Sequence, residues 1–161
     1  MEGLSIMGVA QESMFVIVVF GIFLFYAMLR GRHSLVNLII ALYFALLISV
    51  EFPYYDTIVG NAGSARNEAI IMIIVFGFFT AISNYILGRF LHQGDSYDRG
   101  FAGFHRKLVY ALAATVLVLT YSFHALPVTE LIDPGPIQTL FASEQSFFYW
   151  LFVPIIILFF L

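Results

Sequence analysis

The chain contains no cysteine, so a disulfide, a thiolate metal site and a cysteine nucleophile are all excluded. Charge is scarce: Asp, Glu, Lys and Arg make up 11% of its 161 residues, against about a quarter in soluble domains. That scarcity argues against a soluble globule. With only seven Lys and Arg and no basic patch, nucleic acid is not an expected partner. Short segments of strict apolar–polar alternation are also missing, which argues against a strand barrel with a polar lumen. The chain has no phosphate-binding glycine loop, no His-Glu-x-x-His, no Gly-x-Ser-x-Gly and no supported Ser-His-Asp order. No cofactor and no catalytic residue is therefore expected, and the chain does not read as an enzyme.

What is present is apolar bulk, at 61% of residues, with aromatics at 18%. It lies in long blocks. A run of ~18 or more apolar residues crosses ~30 Å of hydrocarbon as a helix. The blocks predict an all-α class: a polytopic membrane helical bundle, one transmembrane domain with about five spans. These fall near 14–29, 35–50, 69–91, 108–125 and 137–161. Residues 1–13 carry Glu2 and Glu12 but no Lys or Arg, unlike a secretory signal, and read as a short interfacial helix. Arg30-Gly31-Arg32-His33-Ser34 is a tight turn. Pro53 and its aromatic neighbours end the second span at the headgroup level. Residues 57–67 form a polar loop, and Pro127, Pro134 and Pro136 mark an extended connection. The tail has two readings. A helix begun at Ile137 crosses as a fifth span, kinked at Pro154, whereas 147–161 alone is half-inserted.

Charge placement predicts orientation. Cytoplasmic loops collect Lys and Arg. Arg30, Arg32, Arg89, Arg99, Arg106 and Lys107, six of the seven basic residues, fall on one side of a five-span arrangement, and Arg66 alone falls elsewhere. Glu2, Glu12, Glu51, Asp56, Glu68, Glu130, Asp133 and Glu144 fall on the other side. The N-terminus is therefore expected outside, with the six basic residues as cytoplasmic anchors. Arg106 and Lys107 are expected to face anionic headgroups.

Lipid tails are as apolar as leucine, so spans associate through close packing of small residues and a few interhelical hydrogen bonds. Gly77, Ala81, Asn84 and Gly88 share one face of the third span. Asn37, Ala41, Ala45 and Ser49 form a ridge on the second, and Ala111, Ala114, Thr115, Val118 and Ser122 do so on the fourth. One reading is that these stripes pack helices within the monomer. The other is that they line a groove for a lipid or solute.

Glu51 is the acid of most interest, because a carboxylate within a bilayer is costly and demands a partner. It either pairs with Arg66 or relays a proton, or it sits at the interface and meets water. His124, ending the fourth span, is either an interfacial cap or a titrating group. His92, His105, Asp95 and Asp98 match no metal-ligand spacing, so no metal site is expected.

Two short motifs carry a resemblance. Arg30-Gly31-Arg32 joins the first two spans, and Tyr97-Asp98-Arg99-Gly100-Phe101-Ala102-Gly103 leads into a later one. In this order the chain resembles the colicin V production protein family of bacterial inner membranes, over about residues 20–125. It departs from that pattern at Phe104-His105-Arg106-Lys107 and in its apolar tail. The resemblance implies a small, non-enzymatic, multi-pass inner-membrane protein linked to envelope homeostasis or export. The expected function is a scaffold or assembly subunit whose partners are the lipid bilayer and other membrane subunits or copies of itself. The rival is a subunit of an oligomeric transporter or channel, with Glu51, Asn84 and His124 lining a path.

Overall fold

A computed structural model describes residues 6–54, 57, 58, 60, 62–90, 103–124, 126, 128, 131, 136–141 and 143–161. Its helices are α1 (Ile6–Arg30), α2 (Arg32–Val50), α3 (Ala65–Phe90), α4 (Phe104–His124), α5 (Pro136–Phe141) and α6 (Glu144–Phe160). No strand occurs among the described residues. Helices α1 to α4 are each long and apolar enough to cross a bilayer, so the fold is a helical membrane bundle.

The helices start earlier than the apolar runs alone predict, because polar residues can lie inside a helix when their partners are local. Helix α3 begins at Ala65, where the Asn67 N–H donates to Ser64 Oγ at 3.3 Å as an N-cap. Helix α4 begins at Phe104 after Gly103, whose φ of 61° is left-handed and whose carbonyl accepts from the Arg106 and Lys107 N–H groups. Helix α1 begins at Ile6, so residues 6–13 extend the first span and are not a separate interfacial helix. The turn between α1 and α2 is one residue long. Gly31 has φ 86° and ψ 167°, a region essentially confined to glycine, and its N–H donates to the Ala27 carbonyl at 2.9 Å.

Helix α4 is the centre of the bundle and packs against α1, α2 and α6. It is the least apolar of the four long helices, and that is why it is central. Its Thr115, Thr120 and Ser122 are buried, away from lipid that offers them no hydrogen bond, and Tyr121 is buried with its hydroxyl unpaired. Thr115 and Thr120 donate to the Ala111 and Val116 carbonyls, each at 2.7 Å, so these hydroxyls need no other helix. Ala111, Ala113 and Ala114 let the neighbouring backbones approach, and Leu117 and Tyr121 fill the space above them. Rings of Tyr43 and Phe76 meet the Tyr121 ring edge-on at 6.4 and 5.8 Å.

Helix α3 lies along α2. The tail is two helices, since Ser143 is extended at φ −70°, ψ 128° between α5 and α6. At 17 residues α6 rises about 26 Å, slightly short of the hydrocarbon thickness. It nevertheless packs along α4, and its Leu151 carbonyl accepts a hydrogen bond from the Tyr43 hydroxyl of α2.

Candidate functional site: an open groove and a closed clasp

The antiparallel run of the helices gathers Arg30, Arg32, Arg89, Arg106 and Lys107 at one end of the bundle, here the basic end. Glu12, Glu51 and Glu68, with Arg66, lie at the opposite, acidic end. The two ends treat their polar groups differently.

At the basic end α2 packs against both α1 and α3, which do not pack closely on each other, and a groove of about 680 Å³ opens between them. Its floor carries Ser34 and Asn37 from α2. Tyr26 and Arg30 stand on the α1 wall, one turn apart. The α3 wall presents Ala81, Asn84 and Gly88, then Tyr85 and Arg89, again one turn apart. Asn37 is 6% exposed and already has a partner, whereas Arg30 and Arg89 are exposed at the rim. Among the described residues, two guanidinium groups line the groove and no carboxylate does. Such a site offers charge-assisted donors and amides to an anion, but it holds no nucleophile beside a base.

At the acidic end Glu12, His124 and Trp150 are engaged, whereas Ser49 Oγ and Gln138 Oε1 are buried without a partner. Glu12 is 2% exposed, and its carboxylate accepts the Ile137 and Gln138 N–H groups at 2.9 and 3.0 Å, at the start of α5. At the other end of that short helix, His124 Nε2 lies 2.7 Å from the Phe141 carbonyl, and Trp150 Nε1 donates to the Leu140 carbonyl at 3.1 Å. The His124 ring also lies 4.4 Å from that of Phe147. Two N–H groups at the start of α5 and two carbonyls at its end are thereby satisfied, by an acid at the N–H end and donors at the carbonyl end. We call this arrangement the clasp.

The predicted site residues fall into distinct places. Asn37, Ala81, Asn84, Gly88, Arg30 and Arg89 come together at the groove. His124 belongs to the clasp, where it joins helices. Glu51 is exposed at the end of α2 and makes no ion pair with the exposed Arg66. Lys107 departs from the expectation that it faces headgroups. It is fully buried and engaged, because it lies on the face of α4 that also buries Tyr110, Ala111 and Ala114. Arg106, one position earlier, is exposed, and Arg32 is half-buried with a partner. Arg99, Asp95, Asp98 and His92 lie outside the described residues, and no group of metal ligands occurs among those described.

The small-residue stripes also divide. Those of α2 and α4 are buried seams, with Ala41, Ala45, Ala111 and Ala114 inaccessible. The α3 stripe does not pack within the monomer: Gly77, Ala81 and Gly88 are exposed, and a Cβ placed on Gly77 or Gly88 would meet nothing within 4 Å. Helix α3 turns Ala69, Phe76 and Ser83 inward instead.

Sequence reasoning missed Tyr26, Ser34 and Tyr85. The spacing Tyr-x-x-x-Arg occurs at the ends of both α1 and α3, and was the available signal. The site defines a helical membrane bundle with an arginine-rimmed groove. No family model matches the chain, and neither a curated protein nor a solved structure matches it.

Proposed function

We propose that the chain is a scaffold or assembly subunit of a membrane complex, with its basic end in the cytoplasm, and is not an enzyme. The observation that carries this reading is the open small-residue face of α3 around Gly77, in a bundle whose other small-residue stripes are closed. Small residues earn their place in membrane helices where backbones approach closely. Among the described residues no helix approaches Gly77, so a span from a second copy or another subunit is the fitting occupant. A transporter path would need Glu51, Asn84 and His124 together, and they occupy a helix end, the groove and the clasp. A scaffold role in a bacterial-type inner membrane is also what the resemblance to the colicin V production proteins implies.

The absence of native cysteine makes the test clean. Gly77→Cys in native membranes should give a disulfide or short-linker adduct with a partner span. Ile17→Cys, 68% exposed on α1, should give none. Labelling of Gly77→Cys by a lipid-soluble maleimide with no protein adduct would remove the reading.

A further inference from the structure

We propose that the groove at the basic end binds a phosphate group, carried in the first instance by the headgroup of an anionic lipid. The chemistry begins with Arg30 and Arg89. Each guanidinium presents a planar fork of N–H donors that fits two oxygens of a phosphate, and the two rise from opposite walls of one groove. Between them, Asn84 is half-buried in the α3 wall and Ser34 stands on the floor, with its hydroxyl donating to the Arg30 carbonyl at 3.1 Å. Ser34 Oγ thereby ties the floor to the very residue whose side chain rims the site.

The field favours an anion. The C-termini of α1 and α3 each bring about half a negative charge to this end, and the N-terminus of α2 brings about half a positive one. Two full guanidinium charges outweigh the difference. The N-cap of α2 is Gly31, which has no side chain to compete for the first N–H groups of that helix. The size also fits: about 680 Å³ lies within the ordinary range of small-ligand pockets, roughly 300–1,000 Å³.

The lipid as carrier follows from where the groove opens. Its two walls are spanning helices that do not pack closely on each other, and its arginines lie at the end of the membrane-crossing stretch, where headgroups lie. Tyr26 and Tyr85 sit one turn inside the arginines, the depth at which aromatics mark the interface. Exposed Phe25, Ile82 and Ile86 continue the walls with apolar surface for acyl chains. Basic pockets between spanning helices are a known setting for acidic headgroups.

The full chain, purified in mild detergent, is to be offered phosphatidylglycerol and phosphatidylcholine, with retained lipid counted by native mass spectrometry. Phosphatidylglycerol should be retained in preference. Arg30→Gln/Arg89→Gln should weaken it about tenfold or more, since two charge-assisted contacts are lost. Gly88→Leu should do the same by filling the groove without altering charge, because nothing stands within 4 Å of its Cβ position. Arg66→Gln, at the acidic end, should change nothing. Displacement of the lipid by millimolar inorganic phosphate, lost in the same variants, supports the phosphate site with a soluble source. Equal retention of the two lipids, or retention unchanged by both the arginine and Gly88 variants in protein of unaltered helicity, overturns the proposal. Cross-linking at position 77 is a separate readout, so failure here leaves the scaffold reading standing, and the converse holds.

Discussion

The clasp and the groove, at opposite ends of this bundle, carry similar polar residues and use them oppositely. At the acidic end, Glu12 and His124 are joined to backbone groups of α5, and Trp150 completes the set. At the basic end, Arg30, Asn84 and Arg89 border open space. The first arrangement consumes hydrogen-bonding capacity to hold the fold, and the second leaves it available. The contrast teaches that a polar residue in a spanning helix is a functional candidate only after its partners are counted. Glu12, buried deep in the first helix, would rank highest by depth alone, yet its two oxygens are satisfied within the chain.

The largest effect that would break the contrast is at Glu12. Glu12→Ala leaves two α5 N–H groups without their acceptor and should destabilise the bundle by about 3 kcal/mol. Glu12→Gln keeps one carbonyl acceptor and should lose about half as much. Steric trapping or SDS titration of the detergent-solubilised protein measures both. The single Trp150 lies in the clasp, 4.7 Å from the Phe141 ring, so a shift in its emission should accompany the loss. A loss under about 0.5 kcal/mol would mean that the clasp does not hold the acidic end.

Next in size is Gly31. Its φ of 86° and ψ of 167° admit glycine alone, so Gly31→Ala should cost about 2 kcal/mol in the same titration. It also sharpens the contrast, because this one-residue turn sets α1 against α2 and so places the wall and floor of the groove. Lipid retention should fall together with stability in Gly31→Ala, whereas the arginine variants should lose retention alone. At the clasp, His124→Ala should cost about 1 kcal/mol, the typical net worth of one hydrogen bond to a backbone carbonyl. A cost as large as that of Glu12→Ala would show that the imidazole contributes more than its bond to Phe141.

These sizes also explain what could be read from the chain before its structure. The four long spans were legible because a continuous apolar run has few alternatives in lipid. Their starts were not, since Ser64, Gly103 and the Glu12 region extend helices through polar residues whose partners are set by turn geometry or by distant segments. Six of the nine groove residues were legible: Asn37, Ala81, Asn84 and Gly88 by spacing, Arg30 and Arg89 by charge. That they meet was not, because separations of dozens of residues carry no spacing rule. Lys107 was misjudged for a related reason. Neighbouring Arg106 and Lys107 are alike in sequence, but a 100° rotation between successive residues puts one outside and one in the core. The tail was legible as apolar, and its break at Ser143 was not, since Ser143 carries no breaker beyond an ordinary extended ψ.

The smallest expected effect tests the contrast most directly. Gly77 and Ala111 belong to stripes of the same kind, and nothing in their spacing says which faces a neighbour. Gly77→Ala adds a methyl group where nothing lies within 4 Å, so no contact in the monomer opposes it. It also replaces a residue whose helix propensity is poorer than that of alanine by up to about 1 kcal/mol. Monomer stability should therefore be unchanged or slightly raised, by at most that amount. Gly77→Leu, larger still, should likewise leave the monomer intact while weakening the cross-linked species formed through position 77. If Gly77→Leu instead destabilised the isolated chain by 1 kcal/mol or more, in the range about 1–3 that overpacking costs in a closed seam, then α3 would be packed where it stands open here. The division between a closed bundle and an exposed docking face would then fall with it.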